Sequence, residues 1–166
     1  LEKGYTVDAA DNEITGSRKN IEHLYDKGLN WLEMNINADF YLNHTYDEIY
    51  NLASPASPID FERIPLFILE TGARGHRNLL EQAHKMKARI LFASTSEVDG
   101  DPQFHPQAED YRGNVSTTGP RSCYDEAKRY GEALSYGYKR EYGTEVRVAR
   151  IFNTYGPRMN PKDGRV

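Results

Sequence analysis

The sequence predicts an α/β fold, a doubly wound parallel sheet with helices on both faces. Three observations carry that expectation. Apolar strand-like runs alternate with helix-like runs along the whole chain, the pattern of β-α-β units joined by crossovers. One of these runs, "ARILFAST" (88–95), is continuously apolar before it turns to small hydroxyl residues, as a strand buried on both faces does. Polar clusters then fall just after the strand-like runs: "DNEITG", "SPASP", "STSE" and "NTYGPR". In a doubly wound sheet these carboxyl ends are where ligands bind.

The elements follow in order. Gly4 reads as the C-cap of a preceding helix, and a first strand runs from Tyr5 to about Ala10. Residues 17–26 read as helical, and "WLEMNI" (31–36) as a second strand. "DEIYNLAS" (47–54) rises into a third strand that the prolines of "SPASP" end. A helix is expected from about Phe61 to Met86, with Pro65 near its start, where a proline costs least. The strand 88–95 follows, then a loop rich in glycine and proline. A helix from about Ser122 to Tyr142 leads into the strand "EVRVARI" (145–151) and a final loop.

Composition narrows the function. The chain has 166 residues, 38% hydrophobic and 28% charged, enough for one domain with a real core. Its 21 basic and 25 acidic residues give a net charge of −4, which argues against nucleic-acid binding through phosphates. No apolar run approaches the ~18 residues of a membrane span, and neither a signal peptide nor a repeat is visible. Cys123 is the only cysteine, so no internal disulfide forms and a reducing, cytoplasmic setting fits. The opening "LEKGYTV" reads as the tail of a helix entering a strand, and "DGRV" carries no stop signal. Residues 1–166 are therefore expected to be one partial domain, truncated at both ends.

Three constellations could carry chemistry. Asp11 ends the first strand, where dinucleotide-binding folds place an acid on the adenosine ribose; by itself it could equally be a solvated loop residue. No G-x-G-x-x-G occurs; that loop belongs ~20 residues before the acid. "STSE" (Ser94–Glu97) brings three hydroxyls and a carboxylate to one strand end, able to orient a substrate oxygen or merely to cap a loop. Tyr124 and Lys128 stand at i and i+4 and share a helix face. A nearby cation favours the phenolate and makes tyrosine a usable base. Spacing alone leaves them equally consistent with an ordinary amphipathic helix.

Longer motifs decide between these readings. "ILFASTSEVDGDP", "GNV…GPRSCYDEAKR" and "VARIFNTYGPRM…DGRV", with "VDAADNEITG", "YNLASPASP" and "ETGARGHRNLLEQA" in the same order, resemble the extended short-chain dehydrogenase/reductase family of NAD-dependent epimerases and dehydratases. Within it the chain is most similar to the UDP-glucuronate decarboxylase branch. The resemblance implies a Rossmann-like NAD-binding domain, UDP-glucuronate as substrate, UDP-xylose as product, and a homodimer when full length. It implies NAD contacts from Asp11, Asn12, Thr15, Gly16, Leu52, Ser54, Thr71, Ala93, Tyr124, Lys128, Thr154 and Arg165, and a substrate contact from Asn153. Tyr124 becomes the base, Lys128 its partner and Thr95 the hydroxyl that holds the sugar oxygen. Ser96 and Glu97 become the pair for decarboxylation, and no metal is implied.

The sequence departs from the family at several of these places. Asp99 stands where a tyrosine is usual and is expected to put a charge near the substrate. Asn37 stands for an aspartate that meets the adenine, and Gly72 for an asparagine; "GNVSTTG" lacks the usual "NP" after "GNV". The glycine-rich strand and helix of the family are expected to fill a slot between the strands at 5–10 and 88–95. Without them, and without the C-terminal substrate region, the chain alone is expected neither to bind NAD tightly nor to turn over substrate. Another nucleotide-sugar epimerase or dehydratase, and a non-catalytic or dimer-forming module, remain the alternative readings.

Overall fold

The computed structural model describes residues 1–159. Five strands form, β1 (Val7–Asp11), β2 (Leu29–Glu33), β3 (Glu48–Asn51), β4 (Arg89–Thr95) and β5 (Val146–Ile151). Four α-helices accompany them: α1 (Pro58–Arg63), α2 (Pro65–Glu70), α3 (His76–Met86) and α4 (Ser122–Tyr142). Every strand pair is parallel, as the alternation predicts.

The strands do not form one continuous sheet. Among the described residues, β1 pairs only with β2, and β3, β4 and β5 form a second sheet in that order. β4 is central, with Ile90 beside Ile49 on one edge and Val146 on the other. The slot expected beside 88–95 is therefore absent, because both edges of that strand are paired. Among the described residues β1, β2, β3 and β5 each keep one unpaired edge, and of these β1 and β3 are linked. Their beginnings are tied by a side chain, since the Tyr46 hydroxyl donates to Asp8 Oδ2 at 2.5 Å. Burial and that bond push the Tyr46 phenol up to about 12.

The expected helix 61–86 is broken for two reasons. Ile64 precedes Pro65, whose ring excludes the helical region for its neighbour, and Ile64 leaves it at φ −138°, ψ 46°. Proline at the first position then starts α2 anew. Further on, residues 71–75 widen into a π-turn. There Gly72 lies so close to α4 that a Cβ would come within 2.6 Å of the Ala127 Cβ. The two segments meet so closely that residue 72 has no room for a side chain in this arrangement.

α4 matches its predicted bounds, ending where Gly143 adopts the left-handed conformation at φ 69°. Its buried face recurs at Tyr124, Lys128, Gly131, Ser135 and Tyr138, a helical period of three to four. Gly131 lets this face settle on β4: a Cβ there would stand 2.4 Å from the Phe92 ring. One core cluster joins α3, α4 and the sheet through Leu79, Leu80, Ile90, Tyr138 and Val146. A second gathers Phe61, Ile68, Cys123, Tyr124 and Ala127. The two candidate catalytic side chains are thus part of the packed face, which holds them still.

Candidate active site

β4 delivers the first group. Its last residue, Thr95, is buried, and its hydroxyl accepts from the Glu97 amide at 3.3 Å, turning the chain into a short 3₁₀ segment, Ser96–Asp99. Ser96 and Glu97 are half-buried at that turn. Arg121, the residue before α4, pairs with Glu97 through its guanidinium.

α4 delivers the second group. Tyr124 is buried and stacks on Phe61 of α1, with ring centroids 5.1 Å apart and planes 16° from parallel. Lys128 is buried too. Its ammonium donates to the Ala93 carbonyl at 2.7 Å, lies over the Phe92 ring and sits 5.7 Å from the centre of the Tyr124 ring. Burial pulls the Lys128 pKa down to about 8. A cation is therefore held beside the phenol, as the i, i+4 spacing suggests.

The cofactor candidates occupy several places. Asp11 ends β1; its Oδ1 accepts from the Glu13 amide at 2.6 Å, while Asn12 accepts from Ile14 at 3.2 Å. Gly16 lies against the Asp11 carboxylate, where a Cβ would come within 3.1 Å of Oδ2. Thr15 beside Gly16 is exposed. Leu52 is 66% exposed just past β3, and Ser54 follows in the same loop. Thr71 is buried; its hydroxyl donates to the Phe67 carbonyl at 2.7 Å and accepts from Asn37 at 3.1 Å. Asn37, one of the family departures, thereby ties the loop after β2 to the π-turn. Asn153 and Thr154 are exposed beyond β5, and Arg165 lies outside the described residues.

The structure joins Ala93 with Lys128, and Lys128 with Tyr124, around the end of β4. Asp11, Asn12, Thr15 and Gly16 belong instead to the loop after the separate two-stranded sheet. Asp99 corrects an expectation. It is 2% exposed and turns inward, accepting from Gln107 Nε2 at 3.0 Å with Arg150 3.6 Å away. It presents no charge to a substrate. Arg150 in turn grips Glu132 with two bonds of 2.9 Å, and Glu132 accepts from Ser94 at 2.6 Å.

Sequence reading missed Arg121, Phe61 and Asp125. Arg121 stood in a quoted motif, three residues before the tyrosine at a helix start, which was a usable signal. Phe61 gave none, because its role comes from packing across sixty residues of chain.

The profile of the NAD dependent epimerase/dehydratase family matches residues 1–166. The chain belongs to that family. Family members similar to it include UDP-glucuronic acid decarboxylase 1 of Xenopus tropicalis, 47% identical over 164 residues, covering 98% of this chain and 38% of that protein. UDP-glucuronic acid decarboxylase 6 of Arabidopsis thaliana is 47% identical over 161 residues, covering 96% of this chain and 46% of its own length. The chain thus spans less than half the length of these curated relatives. Among solved structures, UDP-glucose 4-epimerase from Thermotoga maritima, determined with UDP-glucose, superposes with a TM-score of 0.82 at 26% identity, over 97% of this chain and 52% of that one. The dTDP-glucose 4,6-dehydratase DesIV from Streptomyces venezuelae, with NAD bound, gives 0.80 at 23% identity, over 93% and 48%, and supports the fold alone. No described helix is long and apolar enough to cross a membrane.

Proposed function

We propose that these residues form the NAD-binding and catalytic part of an enzyme that decarboxylates UDP-glucuronate to UDP-xylose. The observation that carries this reading is the placement of a carboxylate and a phenol in one packed unit. Glu97 meets Arg121, Arg121 lies over Phe61, and Phe61 stacks on Tyr124. The identity to UDP-glucuronic acid decarboxylases supports the same reading.

The loop that Asp11 opens at the end of β1 would hold NAD, with Asp11, Asn12, Thr15 and Gly16 on the adenosine side and Leu52, Ser54, Thr71, Ala93 and Thr154 further along. Bound NAD supplies a hydride acceptor that gives the hydride back, so it is recycled. Tyr124 takes the proton of the sugar's 4-hydroxyl, Thr95 holds that oxygen and Lys128 favours the phenolate. Once C4 is a ketone, the C5 carboxylate lies β to it. The bond to that carboxyl breaks, carbon dioxide leaves, and the electron pair passes into the ketone as an enolate. C5 then takes up one proton, and the returned hydride at C4 with the proton given back by Tyr124 restores the 4-hydroxyl. Ser96 and Glu97 face this step, Asn153 holds a substrate phosphate, and Arg165 is a late cofactor contact. The exposed Tyr130 and Tyr136 of α4 suit a homodimer packed through that helix, and the lone Cys123 suits the cytoplasm.

Product identity tests the reading. Grafted in place of the matching segment of the Xenopus relative and given NAD, the chain should convert UDP-glucuronate to UDP-xylose. A 4-epimer as the sole product would move the assignment to an epimerase, and a folded, NAD-bound protein without product would favour a non-catalytic module.

A further inference from the structure

We propose that Arg121 is a positioning residue, dividing one guanidinium between Glu97 and Asp125 and so setting where the Glu97 carboxylate points. The proposal rests on the catalytic reading of Glu97 given above, and deepens it.

Arg121 is anchored at both ends. Its carbonyl accepts from the amides of Tyr124 at 2.9 Å and Asp125 at 3.1 Å, which fixes its backbone as the start of α4. Its guanidinium meets Glu97 through Nη2, while Nε stands 3.8 Å from Asp125 Oδ2. The same group lies 5.6 Å over the Phe61 ring, which stacks on the Tyr124 ring. Phe61 is itself held, because the Cys123 thiol donates to its carbonyl at 3.8 Å. One guanidinium therefore fixes the carboxylate end of the site directly and the phenol end through a single ring. A planar fork can do this, whereas a lysine ammonium is a point charge on a flexible stem.

Asp125 makes the division unequal. It is buried, and its Oδ1 has no hydrogen-bond partner. Burial pushes its carboxyl up to about 6; Arg121 pulls it down, and the charges of Glu97 and Glu126 push it up again. The charged groups facing it are thus Arg121 just before α4, Glu126 of α4 and Glu97 of the 3₁₀ turn, with the Cys123 thiol two residues away. An ionised Asp125 competes with Glu97 for the guanidinium, and a protonated one leaves it to Glu97. Glu97 should therefore feel the Asp125 titration through Arg121.

Side-chain carboxyl carbon NMR on the 166-residue chain, titrated from pH 3 to pH 8 without substrate or cofactor, tests this. In the unsubstituted chain Asp125 should titrate near 6, and the Glu97 carbon should show an inflection at that same pH. Arg121→Gln should move the Asp125 midpoint upward and erase the shared inflection. A folded Arg121→Gln chain whose Asp125 midpoint does not move would overturn the proposal. Should that chain lose its dispersed spectrum, Arg121→Lys decides: a weakened shared inflection supports the divided fork, and one at full amplitude refutes it. A merely structural Arg121 would change the melting temperature and leave both titrations alone. Because no substrate enters, failure here leaves the decarboxylase reading to the product assay, and failure there leaves this result standing.

Discussion

Asp99 shows how a single residue can be placed correctly in a motif and wrongly in space. Its position beside "STSEV" implies a charge facing the substrate, yet the 3₁₀ turn after Thr95 rotates the carboxylate inward to Gln107 and Arg150. Its role is therefore stability. Asp99→Ala removes the Gln107 bond and half of a shielded ion pair, and should cost about 2 kcal/mol. Urea unfolding checks this, and an unchanged midpoint would place Asp99 outside the packed network. The juxtaposition of Tyr124 and Lys128 was legible because i, i+4 spacing on a helix is local, whereas the role proposed for them came from the longer motifs. Arg121, Phe61 and Asp125 gained their roles from contacts across the fold, which no spacing encodes.

At the scale of elements, α4 was legible to the residue. Its apolar period is unbroken, and a glycine able to take positive φ closes it. The expected helix 61–86 was not, because its π-turn answers to Gly72 meeting Ala127, a tertiary contact. The same packing buries His76 completely between β3 and α4. Asn51 Oδ1 accepts from the Ala53 amide at 3.2 Å, so its amide nitrogen faces His76 Nδ1 at 2.9 Å. His76 Nδ1 then accepts, and Nε2 donates to Ser135 Oγ at 2.7 Å, which fixes a neutral ring. Burial pulls the His76 pKa down to about 3. An unfolded histidine titrates at about 6.5, so between those values the unfolded state holds one more proton and stability falls as pH falls. Asp125 has the opposite sign. Its folded pKa of about 6 exceeds the ordinary 3.8, so the folded state gains stability as pH falls through that window. The two slopes oppose each other between about 4 and 6. Relative to the unsubstituted chain, Asp125→Asn should lose up to about 1.4 kcal/mol for each pH unit below 6, and His76→Gln should lose less than the unsubstituted chain does. Parallel stability curves for all three proteins would contradict both assignments.

Across the whole molecule, parallel pairing follows from alternation, but the strand order and the division into two sheets do not. Pairing is non-local, and the sequence says only that strands exist. Placing the unpaired edge beside 88–95 was wrong because that strand is bracketed by β3 and β5. The consequence is uneven stability. Amides of β4 lie between two partners and under α3 and α4, whereas among the described residues β1 and β2 have no strand partner but each other. Native-state hydrogen exchange should find Ile90 and Phe92 slowest, near the global limit, with β1 and β2 opening at far lower cost. Equal protection in both sheets would mean that they unfold as one unit.

We propose Tyr124, beside Lys128 and one ring from Arg121, as the proton acceptor of a decarboxylase. The most direct measurement is carbon dioxide release from carboxyl-labelled UDP-glucuronate by the chain grafted into its Xenopus relative, compared with the same graft carrying Tyr124→Phe. The account predicts release by the first and a loss of roughly 10²–10⁴-fold in the second, with NAD binding retained because the phenylalanine ring still stacks on Phe61. Equal release from the two proteins would contradict it.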